Sequence, residues 1–156
     1  LDGEITAAKF ATGVGGKVLQ VITATDSTAR TTTSSSYVTA SNTVSADITL
    51  ATTSSKVLVI ASLAVGQATN NSSCYYTLKR ESTELAGAGG FFTVYHNIAS
   101  TSTVVRGSGH ISTLDSPSTA GSALTYQLYI KTNGVGTAHL NNASEESSIT
   151  LLEISG

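Results

Sequence analysis

Hydrophobic and polar residues along this chain alternate with a period of two. From Leu124 to Lys131, the side chains of Leu124, Tyr126, Leu128 and Ile130 point one way and those of Thr125, Gln127, Tyr129 and Lys131 the other. That is the pattern of a strand with one face in a core. From Lys17 onward β-branched residues dominate, and no window of about a dozen residues carries the 3.6-residue period of a helix. Ten strands are predicted, near 17–24, 36–41, 46–51, 56–66, 73–81, 91–98, 102–113, 122–131, 137–142 and 148–154. Short strands separated by turn signals about every ten residues predict an all-β chain folded as an antiparallel sandwich or jelly roll.

Two segments break the alternation. Val18-Leu-Gln-Val-Ile22 and Val57-Leu-Val-Ile-Ala-Ser-Leu-Ala-Val65 are apolar on both faces. A sandwich core covers only one face of a strand, and no helix is predicted to cover the other. A partner subunit is the economical cover; the chain's own loops are the alternative. Of the aromatic residues, Tyr75, Tyr76, Phe91, Phe92, Tyr95, Tyr126 and Tyr129 fall mostly on strands, so alternation sends about half of them outward. Tyr75 and Tyr129 are the expected outward members, and together with Val57 and Val59 they are the candidate interface residues.

Composition narrows the class. The 156 residues suffice for a single domain with its own core. The 23 Ser and 25 Thr approach a third of the chain while charged residues are 12%, which suits β-structure with weakly charged faces in an extracellular or virion setting. Eight basic against ten acidic residues, with no basic cluster larger than Lys79-Arg80, argue against a nucleic-acid partner. No stretch reaches the ~18 consecutive apolar residues of a membrane-spanning helix, so membrane insertion is not expected. The order of a signal peptide is missing from the start. The single cysteine, Cys74, excludes an internal disulfide and reads as a small core residue. A start at Leu1 and the absence of methionine suggest a processed form or, preferably, a piece of a longer chain.

Candidate chemistry is thin. Gly13-Val-Gly-Gly-Lys17 ends in lysine but is followed by Val18 and precedes a predicted strand, which is the wrong context for a phosphate loop. His96, His110 and His139 lie on separate predicted strands without metal-ligand spacing, so no cofactor or metal is expected, although a histidine close to a threefold axis would occur three times. Arg106-Gly-Ser-Gly-His110 lacks the spacing of a nucleophile elbow. Carboxylates for glycoside cleavage exist among Glu81, Glu84, Asp115, Glu145 and Glu146, but a chain this short has little room for a long substrate groove. Asn70-Asn-Ser-Ser73 and Asn142-Ala-Ser144 match the glycosylation sequon, a frequent accident in a chain rich in Asn and Ser. A non-enzymatic protein is expected.

The Ser/Thr-rich loop Asp115 to Gly121, the strand Leu124-Thr-Tyr-Gln-Leu-Tyr-Ile130, the closing Ser148-Ile-Thr-Leu-Leu-Glu-Ile-Ser155 and Gly16-Lys-Val-Leu-Gln-Val21 together resemble the tip domain that ends many phage tail fibres and related virion proteins. Leu1-Asp-Gly-Glu-Ile-Thr-Ala-Ala-Lys-Phe10 resembles phrases repeated along fibre shafts. The resemblance implies a shaft-like segment and Gly-rich hinge over 1–16 and a tip domain over 17–156. It further implies a jelly roll of the tumour-necrosis-factor and complement-C1q type, a homotrimer, a place on the virion, and attachment to a bacterial surface glycan or protein. If ten strands alternate in direction, the loops at 25–35, 52–55, 82–90, 114–121 and 143–147 share the end away from the shaft. Arg30, Glu84, Phe91, Asp115, Ser116, Glu145 and Glu146 are then the candidate ligand-binding residues. Two other roles stay open: a purely structural decoration or trimerisation domain, and a monomeric carbohydrate-binding module with its sugar platform on a sheet face.

Overall fold

The computed structural model describes residues 18–39, 44–68, 71–97, 104–142 and 145–156. The shaft-like segment and hinge expected over 1–16, and parts of both sequons, lie outside them. Among the described residues the chain is all-β, with two antiparallel sheets packed as a sandwich.

The strands in chain order are β1 (Val18–Asp26), β2 (Arg30–Thr32), β3 (Ser45–Thr49), β4 (Lys56–Ala68), β5 (Ser72–Arg80), β6 (Thr83–Glu84), β7 (Phe92–His96), β8 (Val104–Asp115), β9 (Ala123–Thr132), β10 (Thr137–Leu140) and β11 (Ser147–Ile154). Several are halves of one run. β1 pairs with β11 and β2 with β10, while β11 and β10 lie end to end along β4. Likewise β6 and β7 share one side of β5, and the Val38 bridge and β3 share one side of β9. The result is eight runs in which the first pairs with the eighth, the second with the seventh, the third with the sixth and the fourth with the fifth. That nesting of hairpins is a jelly roll.

The first sheet carries β1/β2, β11/β10, β4 and β8; the second carries β3, β9, β5 and β6/β7. Between them lie Val57, Val59, Ala61, Leu63, Ile111, Ile149 and Leu151 from the first sheet against Ile48, Cys74, Tyr76, Leu78, Tyr126, Leu128 and Ile130 from the second. The β9 alternation predicted from sequence is realised: Leu124, Tyr126, Leu128 and Ile130 are buried, and the intervening residues half-buried. Burial also pushes the Cys74 thiol up to about 12, so it stays a protonated core group.

The expected strand at 36–41 is corrected to a single bridge, Val38 to Ile130. It and β3 run in the same direction along β9, since Val38 faces Ile130 and Ser45 faces Gln127. Treating them as two antiparallel strands reverses the direction assigned to the strands from β4 to β10; β11 regains its expected direction because β10 and β11 run the same way along β4. The loops at 52–55 and 114–121 therefore lie at the end that holds both ends of the described sandwich, contrary to expectation. Val18 and Lys56 both face Ile154, Val57 faces Asp115, and the Gly121 amide donates to the Leu50 carbonyl at 3.1 Å. The opposite end carries the turns around 33–37 and 133–136, joined where the Thr132 amide donates to the Ser34 carbonyl at 2.7 Å.

Candidate functional site

Two outward sheet faces differ from an ordinary solvated surface. The first is the outer face of the β1–β11–β4–β8 sheet. Register places Val21 beside Leu152, Leu152 beside Leu58, and Leu58 beside Leu114, an apolar row across four strands. The row beyond it reads Thr23, Thr150, Ile60 and Ser112. In the single chain Val21 and Leu114, on the two edge strands, are 55% and 54% exposed, and Val18 and Leu19 at the start of β1 each 48%. Single exposed apolar residues are unremarkable, but a contiguous row is the kind of surface that marks an interaction site.

The doubly apolar β4 segment resolves here. Val57 and Val59, two of the four expected interface residues, are 0% exposed and belong to the chain's own core. Leu58 and Ile60 occupy the outward face instead. A strand apolar on both sides carries no alternation, so its inward phase is set only by pairing with β8 and β11.

The second face is the outside of the β9–β5 pair. Tyr75 and Tyr129 point outward, as expected, and are half-buried. Tyr37, next to the Val38 bridge, joins them. Lys79 lies over the Tyr129 ring at 4.7 Å and the Tyr37 ring at 5.8 Å; Lys131 lies over Tyr37 at 4.3 Å and Tyr75 at 5.2 Å. These are cation–π contacts of ordinary reach. The Lys131 ammonium also donates to the Ala88 carbonyl at 3.3 Å.

Beneath this layer Thr77 is fully buried, and its hydroxyl, the Tyr37 hydroxyl and Glu84 Oε1 have no hydrogen-bond partner. Burial first, then the Glu84 and Tyr75 charges, push the Tyr37 phenol up to about 12. Gly90, at φ +75°, closes the layer: a Cβ there would come within 2.6 Å of both the Tyr37 hydroxyl and the Tyr76 carbonyl.

The residues expected to share one set of tip loops divide among three places. Asp115 and Ser116 lie at the end that carries Val18. There Asp115 Oδ2 accepts from Arg80 Nη1 at 2.5 Å and from the Tyr126 hydroxyl at 2.8 Å, while Oδ1 accepts from the Ser116 amide at 2.9 Å. Burial, then the Asp115 hydrogen bond, raises the Tyr126 phenol well above its usual range. Asp115 is thus a strut between the two sheets.

Arg30 lies halfway along the first sheet, facing Leu140, and its Nε donates to Asp26 Oδ2 at 3.1 Å. The half-buried Glu145 and exposed Glu146 precede β11, whose first residue faces Asp26, so they share this region with Arg30. The buried Asn141 holds the break between β10 and β11. Its Nδ2 donates to the Asp26 carbonyl at 2.7 Å and its Oδ1 accepts from the Ser147 hydroxyl at 2.5 Å. Glu84 and Phe91 belong to the third place, the edge of β5, where the Phe91 amide donates to the Tyr76 carbonyl at 2.9 Å.

Of the histidines, His110 is exposed opposite Ser62 on the first sheet. His139 is half-buried beside Gly66, across which lies Arg106, and its Nε2 has no hydrogen-bond partner. Burial and the Arg106 charge lower its pKa below 6.5. Among the described residues no three His, Cys, Asp or Glu side chains gather as a metal site would require.

Sequence reasoning had Tyr75 and Tyr129 but missed Tyr37, Lys79 and Lys131. The signal available was spacing: Tyr75, Thr77 and Lys79 on one strand, and Tyr129 and Lys131 on the next, all share the outward phase. Neither a family model nor a curated protein matches the chain.

Proposed function

We propose that this chain is a non-enzymatic tip domain of a phage tail fibre or related virion appendage, which trimerises through the outer face of the β1–β11–β4–β8 sheet and attaches to a bacterial surface receptor, a glycan by preference. The observation that carries this reading is the apolar row Val21, Leu152, Leu58 and Leu114, on a chain in which Ser and Thr approach a third of the residues. Burying that row against copies of itself removes apolar area from water at about 25 cal/mol per Å². Three copies would also turn weak single-site attachment into firm attachment.

Light scattering on a size-exclusion column is the test of assembly. The wild-type chain should elute with the mass of three copies. Leu114→Asp, on an exposed edge-strand position where the single chain tolerates a charge, should weaken association by about a hundredfold, because a carboxylate would be buried without a partner. A persistent monomer, or a Leu114→Asp protein that stays trimeric, refutes this interface. Attachment is tested separately with labelled trimer on susceptible cells; failure to bind where the intact appendage binds removes the receptor role and leaves a structural trimerisation domain.

The second face favours one other reading. Three tyrosines on a sheet face are what a monomeric carbohydrate-binding module would present. A monomer that binds saccharide through that face would establish it.

A further inference from the structure

We infer that the Tyr37, Tyr75 and Tyr129 face, with Lys79 and Lys131, is a binding site for an acidic saccharide, one whose sugars carry a carboxylate or phosphate. The inference rests on the receptor reading above and names the ligand class and the place where it binds. Two ammonium groups lie over one ring, Lys131 at 4.3 Å and Lys79 at 5.8 Å from the Tyr37 centroid. They are therefore within about 10 Å of each other, where like charges repel unless an anion lies between them. Among the described residues the ion pairs are Arg30 with Asp26 and Arg80 with Asp115, and neither lysine takes part in one.

Glu84 is the cross-strand neighbour of Lys79, yet it makes no ion pair with it, and its Oε1 is turned into a buried position without a hydrogen-bond partner. The other carboxylates of this sheet face, Asp47 and Glu81, lie further along it, where they accept from the Thr125 hydroxyl and amide and not from either lysine. The tyrosine rings hold both lysines in place, so an anion meets donors that have already lost much of their rotamer freedom. Charge-assisted hydrogen bonds from Lys to carboxylate or phosphate are the strong class. The site lies on the outer face of the β9–β5 pair, and a sheet face can run alongside a polymer with a repeating charge.

The experiment is calorimetric or fluorescence titration of the full chain with oligogalacturonate and with dextran phosphate, neutral dextran serving as the control. Either anionic probe should bind, neutral dextran should not, and affinity should fall as salt screens the lysines. Lys79→Gln and Lys131→Gln should each weaken binding about tenfold. Lys56→Gln, at the start of β4 on the other sheet, should leave it unchanged.

Unaltered binding in the Lys79→Gln/Lys131→Gln double variant overturns the assignment. So does equal binding of neutral dextran, or no binding of either anionic probe by protein whose melting curve and oligomeric mass are normal. Loss of the trimer while anionic binding persists counts against the assembly reading and leaves this site standing.

Discussion

Adding one methyl group at Gly109 should destabilise the sandwich far more than the same addition two residues earlier. Gly109 is a buried position of β8, and the Phe92 ring from the opposite sheet lies directly against it. A Cβ there would fall 2.7 and 2.8 Å from Phe92 Cε2 and Cε1, closer than real Cβ contacts come. The ring has no easy retreat. It is stacked on Tyr76 at 4.9 Å with the planes 8° apart, and Tyr76 is itself pinned by hydrogen bonds to the Gly66 and His139 carbonyls, each 2.9 Å.

Gly109→Ala must therefore push the sheets apart or turn the ring off its stack. Overpacking costs about 1–3 kcal/mol and a lost aromatic pair about 0.5–1.5 kcal/mol, so about 2–4 kcal/mol is expected. For a chain of this size that is a Tm lower by roughly 5–15 °C. At Gly107 an added Cβ meets nothing within 4 Å, and Gly107→Ala should stay within about 0.5 kcal/mol of the parent.

The assay is urea unfolding at fixed protein concentration, so that assembly does not shift the midpoint. It is repeated for Phe92→Leu and for the double variant. If the ring clash is the cause, the smaller leucine side chain relieves it, and the double variant should be at least about 1 kcal/mol more stable than the sum of the single effects allows. Strict additivity, or a neutral Gly109→Ala, would exclude the ring clash as the cause.

The remaining expectations follow from the same geometry. Asp115→Ala strands the Arg80 guanidinium and the Tyr126 hydroxyl and should cost about 2–3 kcal/mol in a chemical melt; a loss of cell attachment with unchanged stability would contradict its role as a strut. Gly90→Ala should cost about 1–3 kcal/mol, since it combines a positive φ with overlap on Tyr76 and Tyr37, and a wild-type melting curve would show that segment to be adaptable. Burial raises the Glu153 carboxyl, but hydrogen bonds from the Gln20 and Ser55 side chains and the Ala51 amide outweigh it, so its folded pKa lies below 4.5. The folded chain then holds that proton less well than the unfolded one; the stabilisation is complete above pH 4.5 and is lost as pH falls through the folded value. Thermal melts across this range should decline for wild type and decline less for Glu153→Gln, and equal slopes would exclude Glu153 as the cause. His139 has the same sign one step higher: its lowered pKa makes stability fall as pH drops below 6.5, a slope that His139→Gln should flatten.

Much of the fold was legible because inward positions repeat every second residue. β4, β5, β8, β9 and β11 lie where alternation and β-branched content put them, within about two residues. β2 and β6, of three and two residues, are too short to show a period, and their pairing partners lie outside any local pattern. The loop grouping failed where two separate segments serve as one run: Val38 and β3 run the same way along β9, and β10 and β11 run the same way along β4, whereas the sequence reads each pair as two alternating strands. Arg30 and Asp115 looked like free loop charges because the Asp26, Arg80 and Tyr126 groups that hold them come from other strands.

A β-sandwich, a buried phase for β9, a chain poor in charge, and an apolar excess on β1 and β4 beyond what one core needs can all be read along the chain. Those are local properties, written in residue type and in the two-residue period of a strand. Long-range strand pairing sets which side of β4 faces inward, which loops share an end, and that Tyr37, Lys79, Lys131, Tyr75 and Tyr129 form one surface. These depend on the register between strands distant along the chain, and a shift of one residue in any pairing would have turned every side chain of that strand to the other face.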